Sequence, residues 1–184
     1  MSNIKIRMAK VSDSQELVNI YKYYVEETNI TFEYDLPSVD EFSNRIKKIL
    51  EKYPYLVAQK NGKIVGYTYA NSFKERVAYD WSVELSIYVD VNEKGQGIGQ
   101  MLYNKLLEIL RKQNIVNVLS CITYPNESII IFHEKNNFKK VAHFKKVGYK
   151  FGAWHDVVWY ENSILNYKDK PEKVKWINEI KEFI

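Results

Sequence analysis

The chain has 184 residues, of which 46% are hydrophobic and 27% are charged, as in an ordinary soluble globular domain. Its 27 Lys and Arg against 23 Asp and Glu give a formal net charge of +4, and no basic run with interleaved aromatic residues indicates nucleic-acid binding. A single cysteine excludes an internal disulfide framework, and no apolar run is long enough for a secretory leader or a membrane span, so we expect one cytoplasmic domain.

The first half of the chain predicts one strand, two helices and three further strands. Residues 4–8 alternate like a strand. Ser12 or Asp13 can cap a helix whose apolar residues follow at helical spacing, and a second helix is expected over about 39–51. The three strands follow at 55–58, 63–70 and 81–91, and the first two are joined by the hairpin signal Asn61-Gly62.

The second half predicts the helices and strands that complete a mixed sheet. After the glycine-rich turn KGQGIG come a helix, a strand at 116–123, a helix at 126–135, strands at 138–147 and 154–161, and a C-terminal helix from Pro171 with Val174, Ile177, Ile180 and Ile184. The order βααβββαβαββ predicts an α/β fold with a mixed sheet, in which an antiparallel meander leads into one βαβ unit. We expect a single domain with its core at 4–164 and a helical extension at 165–184.

Three glycines, Gly95, Gly97 and Gly99, stand between a predicted strand and the helix that follows it. Such a turn presents backbone N–H groups at the positive end of a helix, and this geometry binds phosphate. The P-loop pattern GxxxxGK[ST] and the dinucleotide pattern GxGxxG are both absent, so neither nucleotide hydrolysis nor dinucleotide chemistry is indicated. A tight turn that lets helix and strand pack closely is the alternative.

The turn KGQGIG is similar to the acyl-CoA-binding signature [QR]xxGxG[AG] of the GCN5-related N-acetyltransferase (GNAT) superfamily. It departs from that signature at Lys94, where a lysine can still donate to phosphate as a point charge, and at Gln100. The segments YPYLVAQKNGKIVGYTYA, AYDWSVELSIYV and GYKFGAWHDVVWYE resemble the phosphinothricin/methionine sulfoximine N-acetyltransferase branch. The likeness runs from about residue 4 to residue 164 and implies the GNAT acyltransferase fold.

The resemblance implies acetyl-CoA as cosubstrate. The residues implied to bind it are Ile87, Tyr88 and Val89 through backbone groups, Gly95, Gln96, Gly97, Ile98, Gly99 and Gln100 around the pyrophosphate, and Asn126 on the other side of the βαβ unit. Asn126 is also a suitable N-cap for the short helix, and the two roles are compatible. No metal is expected, because the three histidines and Cys121 lack the spacing of metal ligands. Cys121 has no nucleophile context, and we expect it in the core.

Two residues match the family's catalytic positions. Glu84 interrupts an apolar strand, where a polar residue by itself more often marks a solvated sheet face. The resemblance implies that it is the general base, since only a neutral amine can attack a thioester and a partly desolvated carboxylate can accept the ammonium proton. His133 stands where many members of the superfamily have a tyrosine that protonates the leaving thiolate, so a general-acid role is implied. A structural histidine beside apolar residues is the alternative.

The residues implied for the acceptor are Arg76, Val77, Ala78 and Val83. Arg76 could hold a substrate carboxylate in a bidentate pair, or it could be an ordinary surface arginine. A further block with Lys150, Trp154, His155 and Asp156 suggests supporting roles around the site or at a dimer interface, because the branch forms homodimers.

These features lead us to expect an acetyl-CoA-dependent N-acetyltransferase that acetylates the amine of a small amino acid or analogue, of the phosphinothricin or methionine sulfoximine/sulfone type, by direct transfer in a homodimer. One alternative is the same chemistry on a polyamine, an aminoglycoside or a protein N-terminus, for which an acid-lined pocket would be the signature. Another is a non-catalytic acyl-CoA sensor, which would need the glycine turn but would have no use for Glu84.

Overall fold

The structure, a computed structural model, describes residues 4–180. Its helices and strands are β1 Ile4–Met8, α1 Ser14–Glu26, α2 Val39–Leu50, β2 Tyr55–Lys60, β3 Lys63–Ser72, β4 Ser82–Val89, α3 Ile98–Lys112, β5 Asn117–Tyr124, α4 Glu127–Lys135, β6 Lys139–Lys150 and β7 Ala153–Ser163. The predicted order from the first strand to the seventh is confirmed. Within this part of the chain, no helix is both long and apolar enough to cross a membrane.

The strands form one seven-stranded sheet in the order β1-β2-β3-β4-β5-β7-β6. The first four strands make an antiparallel meander, and β4 pairs with β5 in parallel through the crossover helix α3, so the predicted meander and βαβ unit are both present. The hairpin between β2 and β3 turns at Asn61 and Gly62, whose φ angles are 52° and 83°. These left-handed conformations are the ones that an Asn-Gly turn supplies.

The pairing of β4 with β5 is unusually short. It covers only the partners Ser82 with Asn117, Val83 with Val118, and Glu84 with Leu119. Beyond Glu84 the two strands separate, while β5 stays paired with β7 as far as Tyr124. Because β4 continues to Val89 without a partner on this side, a gap opens in the middle of the sheet.

Helices cover both faces of the meander. The face of β4 that carries Tyr88 packs against α1, where the Tyr88 ring lies 5.0 Å from Tyr24 and 5.1 Å from Tyr21. The opposite face packs against α3 so closely that a Cβ on Gly66 of β3 would come within 3.2 Å of Ile98 Cγ2. Side chains alternate between the faces of a strand, so neighbouring residues of β4 point into different layers of the core.

The expected side-chain cap of α1 is wrong. Ser12 and Asp13 lie in a short 3-10 turn before the helix, and neither gives α1 a capping hydrogen bond. The Asp13 carboxylate instead accepts hydrogen bonds from Arg7 Nη1 at 2.7 Å and from the Lys10 N–H at 2.7 Å. The guanidinium of Arg7 thus binds the carboxylate in place of the helix N–H groups. The sequence pattern of a helix start does not indicate this interaction, because Arg7 lies in the preceding strand.

The prediction of a C-terminal helix is also wrong for the part of that segment, up to residue 180, that the structure describes. Residues 164–176 run irregularly, and only Ile177–Glu179 form a 3-10 turn, while Ile184 lies outside the described residues. The segment docks on the body of the protein with Val174 and Ile177 buried. Its backbone groups form hydrogen bonds with residues far away in the sequence. Glu172 O accepts from Trp81 Nε1 at 2.7 Å, and Lys175 N–H donates to Gln113 O at 3.0 Å. These bonds replace the i to i−4 bonds of a helix.

Gln113 holds the docked segment in place. Its side chain is fully buried, and Nε2 donates to Lys52 O at 2.7 Å and to Lys175 O at 2.9 Å. We predict that Gln113→Ala lowers the free energy of unfolding by about 1–3 kcal/mol, because two buried carbonyl groups lose their donor. Urea denaturation followed by circular dichroism measures this change. Gln15→Ala, at an exposed glutamine of α1, is the matched control and should change stability by less than about 0.5 kcal/mol.

Candidate functional site

A cavity of about 440 Å³ fills the gap between β4 and β5. It is walled by β4 and β5, by α4, and by the loop between α1 and α2. Of the residues singled out in the sequence, those that line it are Glu84, Ile87, Tyr88, Val89, Lys94, Gly99, Cys121, Asn126 and His133. The short β4–β5 pairing therefore brings the proposed base and part of the proposed cofactor site into one cavity.

A second cavity of about 630 Å³ lies beneath α2, with Tyr55, Tyr67 and Tyr69 among its lining residues. It is larger, but it is lined neither by Glu84 nor by any residue of the glycine turn. We therefore assign the candidate site to the cavity between β4 and β5.

Glu84 lies half-buried at the point where β4 and β5 part. Its cross-strand neighbours are Asn71 on β3 and Leu119 on β5. Burial raises the pKa of the Glu84 carboxyl above its ordinary value, and the positive charge of Lys74 partly offsets this rise. The site thus holds a carboxylate with an increased affinity for a proton, as a base in a desolvated cleft requires.

The three β4 residues expected to bind the cofactor differ in their backbone geometry. In an antiparallel pair, every second residue directs its backbone groups to the partner strand, and Asp90 does so because its N–H donates to Val65 O. The N–H and C=O groups of Tyr88 therefore also point toward β3, whereas those of Ile87 and Val89 point into the gap. The Tyr24 hydroxyl already donates to Val89 O at 2.6 Å and accepts from Val89 N at 3.2 Å. Ile87 is therefore the residue of the three whose backbone groups are best placed for a ligand.

The glycine turn leaves the start of α3 open. Gly97 is the N-cap with a φ of 78°, no side chain caps the helix, and Gly95 has the same left-handed φ. By contrast, Ser38 caps α2 and Asn126 caps α4 through side-chain oxygens. The first N–H groups of a helix have no intrahelical partner. At α3 they are left for an anionic ligand, so the turn fits the diphosphate of a CoA-type cosubstrate.

The polar side chains around this turn have separate roles. Lys94 lies on the cavity with Nζ 5.2 Å from the centre of the Tyr24 ring, so the residue that departs from the family signature still supplies a cation there. Gln96 bonds instead to Glu93 at 2.6 Å, and Gln100 bonds to Asn136 at 2.8 Å, where it ties α3 to the end of α4. Their side chains do not line the cavity.

Asn126 and His133 both lie on α4 or at its start. Asn126 Oδ1 caps the helix by accepting from Ile129 N at 3.4 Å, and the residue also lines the cavity. His133 is 5% exposed, and its Nδ1 lies 2.8 Å from Ile129 O. A carbonyl only accepts, so Nδ1 carries the proton and Nε2 of the neutral ring has none to donate. Burial lowers the pKa of His133, which keeps the ring neutral and does not suit a general acid.

The residues expected to bind the acceptor are not brought together. Arg76, Val77 and Ala78 are exposed in the loop after β3 and do not line the cavity. Val83 is fully buried on the face of β4 opposite to Glu84. The cation that acts on Glu84 is Lys74, two residues earlier in the same loop. The loop contains more than one basic residue, and the sequence alone does not indicate which of them lies near Glu84 in the folded protein.

The expectation that Cys121 lies in the core is wrong. It lies on β5 with its surface open to the cavity that it lines, because β5 loses its β4 neighbour after Leu119. Burial within the cleft and the charge of Glu84 raise the pKa of the Cys121 thiol to about 12. Among residues 4–180, no group of His, Cys, Asp or Glu is arranged to hold a metal ion.

Comparison with known proteins agrees with this architecture. Residues 6–159 match the acetyltransferase (GNAT) domain family. The chain is 31% identical over 177 residues to a phosphinothricin N-acetyltransferase of Streptomyces viridochromogenes, and the match covers 96% of each protein. It is 28% identical to an L-methionine sulfoximine/L-methionine sulfone acetyltransferase of Salmonella typhimurium, over 85% of this chain and 92% of the relative.

A solved structure agrees as well. The crystal structure of a GNAT superfamily phosphinothricin acetyltransferase from Sinorhizobium meliloti, in complex with acetyl-CoA, superposes with a TM-score of 0.88 at 29% identity and covers 97% of both chains. With the family match over most of the chain and the likeness in both sequence and fold, the chain belongs to the GNAT family, in its phosphinothricin/methionine sulfoximine N-acetyltransferase branch, and is an N-acetyltransferase.

Proposed function

We propose that this enzyme transfers an acetyl group from acetyl-CoA directly to the amine of a small amino acid or amino-acid analogue. The observation that carries the proposal is Glu84, a carboxylate with a raised pKa at the point where β4 and β5 part, in the cavity that reaches the glycine turn of α3. A sensor of acyl-CoA would have no use for such a base.

Three features of this chain would hold acetyl-CoA, which when bound supplies an activated acyl thioester. The uncapped N–H groups after Gly97 suit its diphosphate, and Lys94 adds a nearby positive charge. The backbone groups of Ile87, which point into the gap, suit the amide groups of the pantetheine arm. Asn126 lines the opposite wall.

Glu84 would accept the proton of the substrate ammonium, directly or through a water molecule. An amine with a pKa well above neutrality is mostly protonated, so the enzyme must remove a proton before the nitrogen lone pair can attack. A carboxyl whose pKa is raised by burial does this better than an exposed one. Backbone N–H groups on the free edge of β4 would stabilise the negative charge that develops on the acyl oxygen.

Direct transfer is supported by the state of Cys121, the one nucleophilic thiol of the chain. A raised pKa disfavours the thiolate near neutral pH, and the thiolate is the nucleophilic form. Cys121 therefore does not suit a covalent acetyl carrier, although it lines the same cavity as Glu84. We assign His133 no proton transfer, since its Nε2 carries no proton to give.

Charge supports an acceptor that carries a carboxylate. Lys74, in the same loop as Arg76, is close enough to Glu84 to lower its pKa, so a positive charge lies near the site and is available to pair with an acceptor carboxylate. Glu84 is the one acidic residue among the described residues that line the cavity, whereas a polyamine site would need several. The names of the relatives, phosphinothricin N-acetyltransferase and methionine sulfoximine/sulfone acetyltransferase, support the same class.

We predict that Glu84→Gln lowers kcat by roughly 10²–10⁴-fold and leaves CoA affinity nearly unchanged, because the amide cannot accept the proton. Thiol release gives kcat, and calorimetry gives the dissociation constant for CoA. Glu75→Gln, at an exposed glutamate of the neighbouring loop, is the matched control and should retain wild-type kcat.

The pH profile checks the same assignment. The base acts only when it is ionised, so kcat/KM should fall as the pH drops through a pKa above the ordinary value of a glutamate. That acid limb should be missing from the residual activity of Glu84→Gln. A wild-type rate and an unaltered acid limb in the variant would assign the base to another group.

The acceptor class is tested by thiol release with acetyl-CoA across phosphinothricin, methionine sulfoximine, methionine sulfone, common amino acids, polyamines and peptides. We expect turnover with the amino-acid analogues, and a loss of turnover when their carboxylate is converted to an amide, because Lys74 then loses its partner. Turnover confined to polyamines, or CoA binding without turnover of any amine, would contradict the proposal.

We also propose that the protein is a homodimer that uses the β6–β7 hairpin. Large apolar side chains are exposed along it, among them Val141, Phe144, Val147, Phe151 and Trp154, each more than half exposed. A surface of this kind on a small protein usually covers a partner.

We predict that light scattering gives twice the monomer mass for the wild-type protein and that Phe144→Asp gives the monomer mass. Val77→Asp changes an even more exposed apolar residue outside the hairpin and should remain dimeric. A monomeric wild-type protein would refute this assembly.

A further inference from the structure

The loop between α1 and α2 forms one wall of the cavity, to which it contributes Ile30, Thr31 and Phe32. We propose that Lys150, at the end of β6, is a positioning residue that fixes this loop and thereby sets the acceptor side of the active site. The inference rests on the proposed acceptor site and adds a residue that does not itself line the cavity.

Lys150 is an almost fully buried cation, with 2% of its surface exposed. Its Nζ donates to Val25 O at 2.7 Å, to Thr28 O at 2.9 Å and to Thr31 O at 2.8 Å. An ammonium group has three donors, and all three are used. The carbonyl groups come from the last turn of α1 and from the loop, so one side chain ties the end of the helix to the cavity wall.

The electrostatics of this position favour a cation. The last carbonyl groups of a helix have no intrahelical donor and carry the negative end of the helix dipole. Burial lowers the pKa of Lys150, and the negative charge of Glu33 works in the opposite direction. The lysine is therefore held by oriented carbonyl dipoles, while the Glu33 carboxylate pairs with Arg45.

Other contacts seat the same loop from the other side. Thr123 Oγ1 on β5 donates to Asn29 O at 2.7 Å, and Asn29 Nδ2 lies 3.2 Å from His155 Nδ1. Phe32 lies over Gly148 so closely that a Cβ there would overlap the ring. The loop is thus enclosed by β5 and by the β6–β7 hairpin, and Lys150 donates two hydrogen bonds to its backbone, at Thr28 O and Thr31 O.

A change at Lys150 should act on the acceptor side selectively. The tethered segment faces the cavity at Thr31 and Phe32, whereas the glycine turn is built by β4 and α3. Lys150→Met keeps most of the side-chain volume but removes all three donors, which leaves three carbonyl groups without a partner. The loop can then shift until these carbonyl groups form hydrogen bonds with water, and Phe32 shifts with it.

The experiment compares Lys150→Met, Lys150→Arg and the control Lys139→Met, an exposed lysine of the same strand. We expect Lys150→Met to raise the acceptor KM or lower kcat/KM for the acceptor by about 10–100-fold, as misplacement by about an ångström does. CoA affinity should stay at the wild-type value. Lys150→Arg retains a cation with several donors and should recover part of the loss, and Lys139→Met should behave as the wild type.

Gly148→Ala provides a second approach in case Lys150→Met does not fold. It leaves Lys150 intact and displaces Phe32, so it should give the same loss on the acceptor side with CoA affinity retained. An unchanged acceptor KM and kcat in folded Lys150→Met, or an equal loss of acceptor and CoA binding in both variants, would overturn the positioning role.

Hydrogen exchange separates this inference from the proposed function. If the wild-type protein acetylates no amino acid, the proposed acceptor class fails. The tether is still tested by the amides of residues 28–34, which should exchange faster in Lys150→Met than in Lys139→Met. Equal exchange in the two variants would refute the tether itself.

Discussion

The candidate active site depends on the early separation of two parallel strands. β4 and β5 pair only as far as Glu84 and Leu119, and α3 connects them from behind. The backbone groups of a strand inside a continuous sheet are hydrogen-bonded to both neighbouring strands. The free edge of β4 therefore leaves N–H and C=O groups available for a ligand. The same separation leaves Glu84 on one strand and Cys121 on the other facing the cavity, which extends to the open start of α3.

A gap in a sheet has to be supported by the structure around it. Tyr24 bonds both backbone groups of Val89 and so closes the last part of the free edge. Lys150 tethers the loop that forms another wall, and Gln113 anchors the C-terminal segment behind the sheet. In each case a buried polar side chain satisfies backbone groups that regular secondary structure leaves unpaired, which is the condition for irregular backbone in a protein interior.

Local signals predicted most of the fold. The Asn61-Gly62 turn, the cap at Asn126 and the apolar periodicities are decided by neighbouring residues, and the order of the eleven elements followed from them. The failures depend on partners far along the chain. The Asp13 carboxylate accepts a hydrogen bond from Arg7 and does not cap α1. The C-terminal segment forms hydrogen bonds with Gln113 and Trp81 in place of its own helical bonds.

The candidate site was predictable to a similar extent. The glycine turn and Glu84 could be identified by motif, because the strand and helix that carry them are contiguous. Lys74, Tyr24 and Lys150 could not, since each acts on a group that only the folded chain brings near it. Cys121 was misassigned for the same reason, as the missing pairing of β5 with β4 is a property of the sheet and not of either strand.

The alternative to direct transfer is a covalent acetyl-enzyme on the Cys121 thiol, which lines the same cavity as Glu84. Initial rates over a matrix of acetyl-CoA and acceptor concentrations distinguish the two, together with the intact mass of enzyme incubated with acetyl-CoA alone. Direct transfer predicts intersecting double-reciprocal lines and no acetyl adduct, because the raised pKa of Cys121 disfavours its nucleophilic thiolate. Parallel lines with an acetyl group on Cys121 would contradict it.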